Sequence, residues 1–496
     1  TSAAQEALKS KVEEAKKRPV RMGQVVIGPA GENLVKYSAV VSDERVSGRA
    51  GVGAVYGWKK LKGITATGNK TIPVSNPEKT KEWCKKWFKY LRSHPLTGSQ
   101  LPKLGTAALV SQMQSIGILS TKNYSKGQYE DFAKVSGEEL AEKYNIVNKG
   151  CLTCPIKCAR TVEVEGKAVK GPELETLGLL GGGIVNCDLP MIFKWNYELD
   201  ELGMDTISSA STLAWAMEAN EKGLWDNGLE FGKIDNISQI FEDIAYRRGI
   251  GDELAEGSKR LSKKYGGEDF AIHAKGLELA AYEPRRAVGQ GLGYAVSNRG
   301  GCHLNGGYLV IVEGLGLHTN PQTPKAKADF TMMFQDLMEM ISATGQCLFT
   351  SYAFFPGFLI TKPKGAIATI CNKAIPHIGW ALRLINKNPR IAAIHLPVFH
   401  HTKMMGYALN MPMTFGKYLQ TGERGYNLER YVNSKFGVSA KDDALPKRLT
   451  DVPQDSADST TKVPLEEMKK TYYKARGWDK NGVPTEKTLK KLAIIK

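Results

Sequence analysis

Apolar residues recur at three- and four-residue intervals over most of this chain, the spacing of amphipathic helices. Residues 1–18 predict one such helix. Others are predicted over 173–180, 193–202, 206–222, 237–247, 330–344 and 465–476, with a last short one over 485–492. Residues 249–253 read as a helix stop followed by a new start, and Gly477-Trp-Asp-Lys-Asn-Gly482 as turn chemistry after a helix. Residues 24–64 differ. Strands are predicted over 24–28, running into a Gly/Pro turn, and over 37–41, then a glycine-rich loop over 43–57. Residues 69–77 read as a linker. No internal repeat is visible. The predicted fold is mainly α, with a small β-containing N-terminal part.

At 496 residues the chain is long enough for two to four domains. Its 42% hydrophobic and 24% charged content is that of a globular protein. No run approaches the ~20 apolar residues of a membrane helix; that over 391–399 is short and contains His395 and Pro397. There is no basic-then-apolar leader profile, and the expected location is the cytoplasm. The net charge of +17 is spread along the chain; such a balance suits nucleic acid, an anionic membrane or an acidic protein partner, the last being the expectation here. Its densest patch, residues 79–92, puts Trp83, Trp87, Tyr90 and Leu91 on one helix face and reads as a solvated helix over a core stripe. Nothing else points to nucleic acid.

Three of the eight cysteines form Cys151-Leu-Thr-Cys154-Pro-Ile-Lys-Cys158. Thiolates at this density suit an iron–sulfur cluster or zinc, with inert structural thiols as the plain alternative. Zinc sites usually add a second C-x2-C knuckle or two close histidines; neither is present. The radical-SAM spacing runs in the reverse order. A cubane needs a fourth ligand from elsewhere in the chain.

Two further runs carry polar groups in apolar, glycine-rich surroundings. Gly171-Pro-Glu-Leu-Glu-Thr-Leu opens a helix with Glu173 and Glu175. Carboxylates there suit the helix dipole; the sharper reading is a general base whose pKa rises in a low-dielectric pocket. In residues 287–307, Gly289, Gly291 and Gly293 do not fit a dinucleotide fingerprint, but glycines let backbone amides approach a bulky anion. His303 there is either hydrogen-bonded structure or a catalytic group, and Cys302 an inert buried thiol.

These motifs, with Asp200-Glu-Leu-Gly-Met-Asp205, Asn298-Arg-Gly-Gly-Cys-His303 and Gly345-Gln-Cys347 in this order, resemble the aldehyde:ferredoxin oxidoreductase family of tungsten enzymes. Gly28-Pro-Ala-Gly-Glu-Asn33, the run 48–55 and the closing Gly477-Trp-Asp are similar as well. The resemblance covers essentially the whole chain. It implies helical domains 2 and 3 of that fold over 73–272 and 273–496. Residues 1–72 would be the remnant of the β-rich domain that forms a pterin saddle, the rest being absent or supplied by a separate chain. It makes Cys347 the fourth ligand of a [4Fe–4S] cluster with Cys151, Cys154 and Cys158. Asp200, Gly203, Met204 and Asp205 resemble the first pterin loop. Gly345 and Gln346 belong to the second, in which Ser342 replaces the usual Asp. Arg49 and Ala50 match a segment supporting pterin phosphates and a bridging Mg²⁺. Glu175 is similar to the active-site carboxylate and His303 to the active-site histidine.

The implied activity is oxidation of an aldehyde to a carboxylate at tungsten or molybdenum held by two pterins. Electrons would pass through the cluster to ferredoxin or a small iron–sulfur subunit, and oligomers would be possible. Two rivals stand beside it. An aryl-CoA reductase of similar scaffold would place a metal-ligating cysteine near Glu173, where this chain has Glu-Leu-Glu. A non-catalytic electron-transfer or assembly subunit would keep the cluster and bind no pterin.

Overall fold

The computed structural model describes residues 1–316, 319–387 and 399–496. The apolar run over 391–399 therefore lies outside the described residues except for Phe399. The first helix, Ser2–Lys16, ends at Lys17 in the left-handed region. A four-stranded antiparallel sheet follows, in the order β3-β2-β1-β4. Strand β1 (Met22–Ile27) pairs with β2 (Val40–Ser42) at Val26↔Val41 and with β4 (Gly63–Thr67) at Val25↔Ile64. Strand β3 (Arg45–Ser47) closes the other side.

The glycine-rich stretch expected as a loop over 43–57 instead holds β3 and a helix, Val52–Trp58. Its glycines serve close approach. Gly51 turns the chain at φ +70°, and a Cβ on Gly57 would lie 1.9 Å from the Gly31 carbonyl oxygen. The helix can thus lie directly on the short Pro29–Glu32 helix.

The helix Pro77–Ser93 starts with Asn76 accepting from the Lys79 amide and Pro77 in the first turn. Trp87 and Leu91 are buried. A second antiparallel sheet, β5 (Val147–Lys149), β6 (Ala159–Val164) and β7 (Lys167–Lys170), carries the cysteine knuckle in its β5–β6 connection. The chain leaves β7 through Gly171 into the helix Leu174–Leu180. Helix Leu189–Leu202 ends at Gly203 in the left-handed region, and Asp205 caps the next, Thr206–Glu221. That helix is buried on every side from Ile207 to Ala219, as expected of an element threading a core.

After the two-residue strands β8 (His273–Ala274) and β9 (Leu277–Glu278), the glycine run read as an anion cradle forms a helix, Val288–Val296. Every residue of it is buried, and a Cβ on Gly293 would lie 2.4 Å from the Gly306 oxygen. Gly293 admits neighbouring backbone, while Gly289 and Gly291 admit the side chains of Glu313 and Val463. Towards the C-terminus, Lys327–Ala343 packs against Phe415–Lys435 and Leu465–Arg476, with buried Arg476 on Asp336 at 2.5 Å. One apolar cluster runs from Ala30 to Leu449, with members in each of the stretches 1–72, 73–272 and 273–496.

Candidate active site

Four segments meet around one cavity. Strand β3 and the turn after it deliver Arg45, Gly48 and Arg49; β7 and the helix after it deliver Lys170, Glu173, Glu175 and Thr176; the end of Leu189–Leu202 and the loop into Thr206–Glu221 deliver Asp200, Met204 and Asp205. Arg299, Cys302 and His303 complete the wall of about 460 Å³.

Arg49 ties these segments together. Its Nε lies 3.3 Å from Asp205 Oδ2, its Nη1 donates to the Gly301 carbonyl at 3.0 Å, and its Nη2 donates to the Glu278 carbonyl. Burial alone would lower its pKa, but Asp205, Cys302, Glu278 and Glu175 together outweigh that and hold the guanidinium more firmly charged. Asp205 also accepts from the Ile207 amide at 3.2 Å and the Ser208 amide at 3.3 Å, so one carboxylate caps a helix and anchors the arginine. Across the cavity Lys170 Nζ lies 3.3 Å from Asp200 Oδ2. Burial nevertheless raises the Asp200 pKa.

Glu175 and His303 face each other, with Oε1 and Nε2 3.5 Å apart. Burial pushes the Glu175 carboxyl up to about 7, against the pull of the Ala281 amide, which donates to it at 2.6 Å, and of Arg49. Burial, helped by the charges of Arg49 and Arg299, takes His303 down to about 3. Its ring is therefore neutral at physiological pH, and its Nδ1 is buried without a partner.

Behind the pair runs a row of buried phenols. Tyr282 pulls the Glu175 pKa down, its hydroxyl lies 3.0 Å from that of Tyr308, and Tyr352 donates to Tyr308 at 2.8 Å. Each phenol has one hydrogen, and an ionised Glu175 only accepts. The orientation that serves the carboxylate is therefore Tyr352 to Tyr308 to Tyr282 to Glu175.

The cysteine knuckle lies at the surface. Arg45 Nη2 donates to Cys151 Sγ at 3.2 Å. Burial raises the Cys158 thiol to about 12, reinforced by Glu173, Cys347 and Cys154. Burial also raises Cys347, which feels Cys154 and Cys151 in turn. The four thiols are thus electrostatic neighbours. Among the described residues no three His, Cys, Asp or Glu side chains are grouped to grip one metal ion. A set of thiols alone has the donor chemistry of an iron–sulfur cluster or of zinc.

Residues 1–68 match the model of the N-terminal domain of aldehyde ferredoxin oxidoreductase, and residues 82–494 match that of its domains 2 and 3. The chain belongs to the aldehyde ferredoxin oxidoreductase family. Two similar proteins are the tungsten-containing aldehyde ferredoxin oxidoreductases of Thermococcus kodakarensis and Pyrococcus furiosus. Each is 38% identical, over 93% and 94% of this chain and 72% and 73% of the relative. A solved active-site complex of a benzoyl coenzyme A reductase with 1,5-dienoyl-CoA shares the fold, with a TM-score of 0.70 at 20% identity. It covers 98% of this chain and 75% of the solved one. The protein is an oxidoreductase of this family, with the family's mainly helical fold.

Of the residues singled out in the sequence, Arg49, Glu175, Asp200, Met204, Asp205 and His303 line the cavity. Ala50 and Gly203 flank it in the chain, both in the left-handed region. Gly345 and Gln346 are not among the lining residues; Gln346 accepts from the Tyr418 hydroxyl at 2.9 Å. Sequence reasoning missed Lys170, Arg299 and Tyr282. Lys170 directly precedes the Gly171 motif and Arg299 sits inside the His303 run, so proximity to a motif was the available signal. Four cations, Arg45, Arg49, Lys170 and Arg299, line the cavity beside four carboxylates, and pairing of Arg49 with Asp205 and of Lys170 with Asp200 leaves the charge of Arg45 and Arg299 to meet a ligand. That charge fits an anionic cofactor bearing phosphates. No single helix among the described residues is long and apolar enough to cross a membrane.

Proposed function

We infer that this protein is a tungsten or molybdenum bis-pterin enzyme that oxidises an aldehyde to a carboxylate. Cys151, Cys154, Cys158 and Cys347 would hold a [4Fe–4S] cluster, which would supply one-electron transfer out of the site. The observation that carries the reading is the Glu175–His303 pair, 3.5 Å apart on the wall of a cation-lined cavity.

The bound metal and its pterins supply the two-electron oxidation. The protein's own residues supply the rest. Glu175, held near neutrality, takes a proton from the water whose oxygen adds to the aldehyde carbon. A water and an aldehyde thus give a carboxylic acid, two electrons and two protons. Neutral His303 donates a hydrogen bond to the aldehyde oxygen from Nε2, which polarises the carbonyl without an ion in the cavity. Asp200 to Asp205 would hold one pterin, and Arg49, with the Ala50 backbone, would steady its phosphates and an Mg²⁺. Gly345 and Gln346 support the second pterin.

Metal analysis combined with turnover tests this. About four irons per chain, tungsten or molybdenum near one, and aldehyde-dependent reduction of a viologen dye are expected. Iron without tungsten or molybdenum assigns the chain to the electron-transfer role instead. Reduction of an aryl-CoA ester with no aldehyde oxidation moves it to the reductase branch.

A further inference from the structure

From Met340 to Gly422 the chain contains no aspartate or glutamate, although about one residue in ten of the whole is acidic. The same stretch carries eight lysines and arginines. Inside it the helix Ala366–Ala374, of sequence Ala-Ile-Ala-Thr-Ile-Cys-Asn-Lys-Ala, buries only Ala368. Ile367 and Ile370 are 60% and 66% exposed. On the following helix, Gly379–Lys387, Trp380 and Leu384 are 71% and 47% exposed, one turn apart on one face. Lys362, Lys364 and Lys373 are exposed beside them. Apolar side chains on a short helix normally face a core, and contiguous exposed ones mark an interaction surface.

We propose that this face, built by the helices Ala366–Ala374 and Gly379–Lys387, docks the protein onto an anionic membrane surface. Lys362, Lys364 and Lys373 meet the lipid headgroups, while Ile367, Ile370, Trp380 and Leu384 enter the interface. Exposed apolar residues including Trp, near exposed lysines in a stretch of sequence without an acidic residue, are what such a surface selects. Two other occupants fit less well. A second copy related by a two-fold axis would set this basic face against itself. An acidic redox protein would be seated far from the candidate cluster thiols. Arg383 grips Asp329 in the first turn of Lys327–Ala343, at 2.9 and 2.8 Å, whereas Cys347 follows the last turn. At ~1.5 Å per residue the helix separates them by ~20 Å.

Flotation of the full chain with lipid vesicles tests the proposal. Vesicles of phosphatidylcholine and phosphatidylglycerol should carry the protein at low salt and release it as salt rises, while phosphatidylcholine alone should not. Ile370→Glu with Trp380→Glu should weaken binding at least tenfold. Lys362→Glu with Lys364→Glu should weaken it by about 25-fold or more, at about fivefold per lysine. Should the first pair lower the melting temperature, the lysine pair, on exposed side chains, decides. Failure to float at low salt, equal flotation with neutral vesicles, or flotation indifferent to both pairs overturns the proposal. Absence of vesicle binding, with a dimer or an acidic-protein complex that these variants break, overturns it too and assigns the face to that partner.

Discussion

Glu175 combines two pressures that its neighbours balance. Burial favours the protonated form, while the Ala281 amide, Arg49 and Tyr282 favour the ionised one; the balance near 7 leaves it able both to take and to release a proton. Glu175→Gln keeps the shape and removes the base, so turnover should fall by roughly 10²–10⁴-fold with metal content unchanged. Normal turnover would move the base elsewhere, Glu173 being next on the cavity wall. The same balance sets the pH dependence. As a base Glu175 works ionised, so kcat/KM should rise with pH through about 7. For stability the sign is opposite. A carboxyl raised in the folded state contributes stability that is present below its unfolded value of about 4.5 and lost as pH rises through about 7. His303, depressed to about 3, contributes stability present above about 6.5 and lost as pH falls towards 3. Tyr308→Phe should break the phenol row and weaken the pull of Tyr282 on Glu175. The acid limb of kcat/KM should then move to higher pH, and a limb that stays in place would detach the row from the carboxylate.

Among the secondary elements, glycine decides more than periodicity foretold. The helix Val288–Val296 exists because Gly293 lets it touch the Gly306 backbone, and Gly291 would meet Val463 at 2.9 Å if it bore a Cβ. Gly293→Ala should therefore cost roughly 1–3 kcal/mol, the range for overpacking a filled core. Gly68→Ala, with nothing within 4 Å, should be near neutral in the same thermal melt. The two misread segments share this cause. In residues 43–57 and 287–296 glycine density suggested loops or anion cradles, because a sequence does not distinguish glycine that bends a chain from glycine that admits another chain. The helix Leu465–Arg476 was legible to the residue, since its apolar stripe and its Gly477 stop are local, whereas Leu189–Leu202 and Lys327–Ala343 begin four and three residues before the expected 193 and 330. Glu175 and His303 were legible from motif order. Their separation, the Arg49 clamp and the phenol row were not, since Tyr282, Tyr308 and Tyr352 are united only by folding.

For the molecule as a whole, charge and exposure bear on how electrons leave. Cys151 and Cys347 are both exposed, and Leu152 between the knuckle thiols is 79% exposed. Lys157 is exposed within the same knuckle. An acidic iron–sulfur partner approaching a chain of net charge +17 would be drawn in from a distance and seated on Leu152. Charge complementarity of this kind acts chiefly on the encounter rate, while the apolar contact holds the complex. At subsaturating partner, electron transfer to a ferredoxin should therefore slow as salt shortens the Debye length from ~10 Å at 0.1 M to ~3 Å at 1 M. Leu152→Asp should raise the KM for the partner and leave kcat with a small artificial acceptor intact, because such a dye needs no docking face. A rate indifferent to salt under encounter-limited conditions would remove electrostatic steering. An unchanged KM in Leu152→Asp would place the docking face away from the knuckle.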